Sequence, residues 1–421
     1  MKLKFFLLSC MLTLLSACTA HYELTVGDDD FSSSRLARID QLIDQAVANG
    51  EIPGAVVMVS RGGDTDLLKA YGYADLASGK VMQTDAIFRI ASMTKAITSV
   101  AVMILNERGD ISLNDPVSKY ISAFSQMRVI TELDADGKIV AVEDAKKPIR
   151  IIDLLSHSSG ISYPFINNAL QAPYVEAGII DGLTGRDLTL ESQMRLLARQ
   201  PLLFEPGEKF QYGLSTDLLG YLVEVVSGQT LPEFIAANIT GPLKMDDTYF
   251  YLPPDKANRL VTLYAHVEGK GLVVSDGTES SIKLDNPNYP IEGAQTFYCG
   301  GAGLSSTAGD YGRFLLMLLN DGALDGVHIL SRKSVELMSA PRIDWDEDGV
   351  ADFGLGFGVV SDLGQTGQLG SVGNLSWGGA FYTSFWIDPE EDLVAVFMSQ
   401  VRPAQSDVAD KFQTAVYQAL Q

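Results

Sequence analysis

Ser92 and Lys95 stand three residues apart at the start of a long apolar segment, Phe88 to Arg108. On a helix, positions i and i+3 share a face, so the two side chains can touch. A serine at a helix N-terminus meets free backbone N–H groups and the positive end of the dipole, which favour an alkoxide or oxyanion. A lysine beside it can accept or relay the serine proton, which makes the pair a candidate nucleophile and base. Spacing alone also fits an N-cap serine with a surface lysine three residues on. Ser280 and Lys283 repeat the spacing in a polar stretch with no helix start, so the decision rests on other segments.

The elements that must position the pair are legible in outline. Helical periodicity runs from Arg35 to Val47, with Gly50 and Pro53 beyond it, and again from Leu188 to Arg199, Thr216 to Val226, Leu304 to Leu319 and Asp407 to Leu420. Strands are predicted at Ala55 to Ser60, Leu67 to Tyr73, Phe353 to Val360, Ser376 to Asp388 and Leu393 to Gln400, and a hairpin at Val129 to Val142 around Asp136-Gly137. Strands at both ends of the chain with a helical, loop-rich middle predict an α+β molecule. Its antiparallel sheet domain, flanked by helices, is built from 35–113 and 300–421, and a mainly helical insertion spans 114–299.

The segment around Ser92, Phe88-Arg89-Ile90-Ala91-Ser92-Met93-Thr94-Lys95, resembles the serine β-lactamase and penicillin-binding-protein superfamily, in which S-x-x-K carries nucleophile and base. Asp153-Leu154-Leu155-Ser156-His157-Ser158-Ser159-Gly160-Ile161 is similar to that family's DLLTHTSG stretch. So are Phe204-Glu205-Pro206-Gly207 before Tyr212, Leu219-Gly220 after it, and Gly300-Gly301-Ala302-Gly303-Leu304-Ser305-Ser306-Thr307. The resemblance covers about Leu36 to Gln421. It implies the β-lactamase/transpeptidase fold, makes Tyr212 a general base or proton relay, and places the oxyanion hole at the N–H groups of Ser92 and Ala380.

Two departures shift the expected substrate. Tyr212-Gly213-Leu214-Ser215 lacks the asparagine found two residues after the tyrosine in class C β-lactamases. Where β-lactamases carry Lys-Thr-Gly, this chain has Trp377-Gly378-Gly379, an apolar wall with a glycine pair that lets substrate approach the strand. Both versions look like family VIII carboxylesterases and related acyltransferases, so the expected substrate is a small-molecule ester. The alternatives are a D-amino-acid peptidase or β-lactamase acting on cell-wall-like amides, and a non-catalytic binding protein on the same scaffold.

Other chemistries find less in the sequence. No G-x-S-x-G occurs, His157 reads as structural rather than as a triad member, and Cys299 beside Gly300-Gly301 reads as packing. His21, His157, His266 and His328 have no metal-ligand spacing. Asp344 to Asp348 matches half of a calcium loop, but Leu355 stands where a bidentate glutamate is needed, and Glu132 to Glu143 fails at its first position. Both read as solvated turns, so neither a metal nor a cofactor is expected. The 421 residues carry 53 acidic against 31 basic side chains, a net charge of −22 that repels phosphate backbones and argues against nucleic acid as a partner.

The first residues read as an address. Lys2 and Lys4 precede the apolar run Phe5 to Ala17, too short to span a bilayer core, and Leu15-Ser16-Ala17-Cys18 resembles a bacterial lipobox. The expectation is a signal peptide over 1–17, lipidation at Cys18 and a tether over 18–34. That places the protein in the bacterial cell envelope as a lipoprotein facing the periplasm. Thr19, in place of aspartate, favours the outer membrane.

Overall fold

The computed structural model describes residues 31–279, 284 and 286–421. The signal segment, Cys18, most of the expected tether and the Ser280/Lys283 pair lie outside the described residues. Helix α1 (Ser33–Ala48) begins inside the expected tether, and Phe31 before it is buried and bridged to Leu420.

Seven strands form one antiparallel sheet. They are β1 (Gly54–Arg61), β2 (Asp64–Asp75), β3 (Lys80–Val81), β4 (Gly358–Val359), β5 (Leu375–Gly379), β6 (Thr383–Asp388) and β7 (Leu393–Met398), in the order β4-β5-β6-β7-β1-β2-β3. The two ends of the chain meet at the centre, where Val57 lies opposite Phe397 and Val59 opposite Ala395. Leu393 to Met398 has no polar alternation because both faces are covered. Leu393, Ala395 and Phe397 pack with Ile39 and Ile43 of α1 and Phe412 of the C-terminal helix Val408–Tyr417. Val394, Val396 and Met398 face the other way, into the core of α2 (Thr94–Glu107) and the helix Ala308–Leu319. Every α2 residue from Thr94 to Leu105 is buried, which is why that segment is apolar all round.

Four elements near the site differ from the sequence expectation. The helix expected from Phe88 starts at Thr94. Phe88–Arg89 pairs instead with Ser305–Ser306, and Ala91 at φ +42° breaks any continuous helix before the short 3₁₀ turn Ala91–Met93. The helix expected from Leu304 starts at Ala308 for the same pairing reason, with the Thr307 hydroxyl accepting from the Asp310 N–H at 3.1 Å. The strand expected over 376–388 is a hairpin, β5 and β6, turned at Ala380–Tyr382 with Tyr382 at φ +68°. The strand expected over 353–360 shrinks to β4.

Candidate active site

Ser92 sits in the 3₁₀ turn that feeds α2, part-exposed at the floor of a cavity, while Lys95 in the first turn of α2 is only 2% exposed. Lys95 Nζ donates to Ser92 Oγ at 3.3 Å, to the Tyr163 hydroxyl at 3.0 Å and to the Gly301 carbonyl at 2.9 Å. Three acceptors match the three N–H groups of an ammonium. The Tyr212 hydroxyl lies 2.7 Å from Ser92 Oγ, and its ring centroid is 4.5 Å from Lys95 Nζ. The structure thus brings Ser92, Lys95 and Tyr212 into one hydrogen-bonded cluster.

Tyr212 comes from a loop that the Ser156–Tyr163 stretch holds in place. Gly207 N–H donates to the Ser158 carbonyl at 2.7 Å, Gln211 N–H to that of His157 at 2.7 Å, and Leu214 N–H to that of Ser162 at 3.3 Å. His157 itself packs among aromatic rings. It is buried at φ +51° with its ring 5.0 Å from that of Tyr212, and burial first, then the Lys95 charge, hold it well below its usual pKa and therefore neutral.

Strand β5 closes the other side. A side chain on Gly379 would meet the Ile90 carbonyl at 2.3 Å, so only glycine lets the strand lie this close to the Ser92 turn. Ala380 follows directly and lines the same cavity as Ser92. Trp377 packs edge-on against Phe353, with ring centroids 5.2 Å apart, and lies 5.6 Å from Tyr212 and 5.4 Å from Trp345. Trp345 reaches the site from the acidic loop 344–352, where Asp344 accepts the loop's own N–H groups of Glu347 and Gly349. The cavity measures about 630 Å³ and is walled by Tyr163, Phe165, Trp345, Trp377 and Phe381.

Sequence reasoning missed three residues. Tyr163 touches Lys95, and burial first, then the nearby Asp217 carboxylate, raise its pKa well above 10, so its hydroxyl stays protonated. It lies two residues past the His-x-Ser-Gly-Ile stretch, which was the available signal. Arg89 is buried without a carboxylate partner among the described residues and donates to the carbonyls of Tyr289 (2.6 Å), Val261 (3.1 Å) and Pro287 (3.2 Å), while burial lowers its pKa to about 10. Arg402 brings a cation to the cavity wall from beyond β7, though not at the β5 position where β-lactamases carry their lysine.

A serine activated from a helix start, a lysine and tyrosine on its oxygen, and a strand edge across from it define a serine hydrolase of the β-lactamase type. The sequence model of the family named Beta-lactamase matches residues 39–419, and the chain belongs to that family. It is similar to Esterase EstB of Burkholderia gladioli, 31% identical over 371 residues, 85% of this chain and 88% of that one. Protein Rv1367c of Mycobacterium tuberculosis is 33% identical over 368 residues, 84% and 87% of the two chains. The solved structure of EstCE1, described as a hydrolase with promiscuous acyltransferase activity, superposes with a TM-score of 0.78 at 30% identity, covering 91% of this chain and 99% of that one.

Proposed function

We propose that the protein hydrolyses carboxylic esters with a bulky apolar group through an acyl-Ser92 intermediate. The observation that carries this reading is the Tyr212–Ser92–Lys95 cluster opening onto an aromatic-walled cavity, with Trp377 in place of a cation. The Tyr212 hydroxyl and Lys95 Nζ both donate to Ser92 Oγ, which makes them the pair placed to take the serine proton. Ser92 Oγ bonds to the ester carbonyl carbon as its proton passes to the Tyr212/Lys95 pair. The oxyanion rests on the N–H groups of Ser92 and Ala380, and the alcohol takes the proton as it leaves. Water activated by the same pair then cleaves the acyl-serine. The likeness to EstB and EstCE1 supports an ester over an amide.

Arg402 also lines the cavity, with the Asp181 carboxylate acting on it from the same wall, so the cell-wall amides and β-lactams are tested beside the ester. The test compares p-nitrophenyl butyrate, nitrocefin and a D-Ala-D-Ala peptide, using soluble protein that starts after Cys18, with Ser92→Ala alongside. Ester turnover that vanishes in the variant is expected. Turnover of only the other two substrates moves the protein to cell-wall chemistry, and ester turnover surviving in Ser92→Ala removes Ser92 from the mechanism. The lipobox-like Leu15 to Cys18 supports anchoring at the envelope, which loss of lipid incorporation in Cys18→Ala would test.

A further inference from the structure

Asp217 lies in the first turn of the helix Ser215–Ser227 and is fully buried. Its Oδ1 accepts from the Cys299 thiol at 2.9 Å and from the Gly301 N–H at 3.3 Å. Its Oδ2 has no hydrogen-bond partner among the described residues, which is costly for a carboxylate oxygen cut off from water. A methyl group built on Gly301 would meet that Oδ2 at 2.6 Å and the Tyr163 hydroxyl at 3.0 Å. Both groups thus border the space that the glycine leaves open. Gly301 and Tyr163 are also neighbours of Lys95: the Gly301 carbonyl accepts from Nζ at 2.9 Å and the Tyr163 hydroxyl at 3.0 Å.

We propose that Asp217 is the buried counter-charge of Lys95, a positioning residue that acts on the catalytic ammonium through Gly301 and Tyr163. Around Lys95, the titratable groups facing it are Tyr212, Tyr163, His157 and Cys299, and the carboxyl felt by both Lys95 and Tyr163 is Asp217, whose own pKa burial raises while the Cys299 hydrogen bond and the Lys95 charge pull it down. Asp181 acts further out, on Tyr163 and Arg402. The inference rests on reading Ser92, Lys95 and Tyr212 as the catalytic set. The sign of the effect is the same whether Lys95 or Tyr212 takes the proton. Removing a nearby negative charge lowers the pKa of an ammonium and of a phenol alike.

The test uses Asp217→Asn, which keeps an acceptor for Cys299 and Gly301 but loses the charge. The pH dependence is read twice, on p-nitrophenyl butyrate kcat/KM and on the rate at which a fluorophosphonate phosphonylates Ser92 with loss of fluoride. The expected result is a pH midpoint lower by about one unit and a kcat lower by about tenfold at little change in KM. Cys299→Ala, which keeps the carboxylate, retains the wild-type midpoint. An unmoved midpoint in Asp217→Asn, or equal shifts in both variants, overturns the proposal. Fluorophosphonate labelling without ester turnover in the wild type would sink the esterase reading while leaving this one testable. A second measurement needs no activity: in a cycle of Lys95→Met and Asp217→Asn, the double variant should melt higher than the two single losses predict. Additive losses overturn the pairing.

Discussion

Lowering the pH should destabilise this protein through His157, and the size of the effect follows from its burial. The folded ring is 1% exposed among Phe210, Tyr212 and Phe353, its Nδ1 has no hydrogen-bond partner among the described residues, and burial with the Lys95 charge holds it neutral well below 6.5. The unfolded ring takes up a proton near pH 6.5, so the unfolded state binds more protons as the pH falls and stability falls with it. Between about pH 7.5 and 5.5, with the folded ring neutral throughout, this linkage costs about 1.4 kcal/mol, tenfold in the folding constant. His157→Asn removes the titration, and asparagine tolerates the φ of +51°. The variant loses packing and is less stable at both pH values. Urea unfolding of both proteins at the two pH values isolates the linkage, because the carboxylates titrate alike in each. The variant should lose about 1.4 kcal/mol less than the wild type across this interval. Equal losses would refute the neutral, buried imidazole and would reopen a proton-transfer role beside Tyr212.

Three substitutions probe the rest of the site. Tyr212→Phe removes the hydroxyl 2.7 Å from Ser92 Oγ and should lower kcat by roughly 10²- to 10⁴-fold, with KM and the melting temperature nearly unchanged. A loss under about fivefold would take Tyr212 out of proton transfer. Gly379→Ala places a methyl 2.3 Å from the Ile90 carbonyl and pushes β5 off the Ser92 turn, so kcat should fall by about 10² in a folded protein, as steady-state kinetics beside circular dichroism would reveal. Arg89→Met strands the carbonyls of Val261, Pro287 and Tyr289, and should cost about 3 kcal/mol in urea unfolding, where a cost below about 1 kcal/mol would contradict the anchoring role.

What the sequence disclosed and what it hid divide along a physical line. The meeting of Ser92, Lys95 and Tyr212 in one cluster was legible because each lies in a segment that resembles the family's motifs. The central strands were legible because Leu393 to Met398 is apolar at every position, a pattern that burial on two faces requires. The boundaries near the site were not, since the Ser92 turn depends on partners far along the chain. Phe88–Arg89 extends only because Ser305–Ser306 lies opposite, and the approach of Gly379 to Ile90 joins residues almost three hundred positions apart. Tyr163 and Asp217 escaped for a related reason. A tyrosine in a loop and an aspartate at a helix start each have an ordinary local explanation, and only the fold sets them against Lys95. The same holds for cations in the cavity. Reading β5 alone gives an apolar wall, whereas Arg402 reaches that cavity from beyond β7. Trp377 at the family's lysine position and Arg402, with Asp181 on the same wall, are cavity residues that no single motif contains.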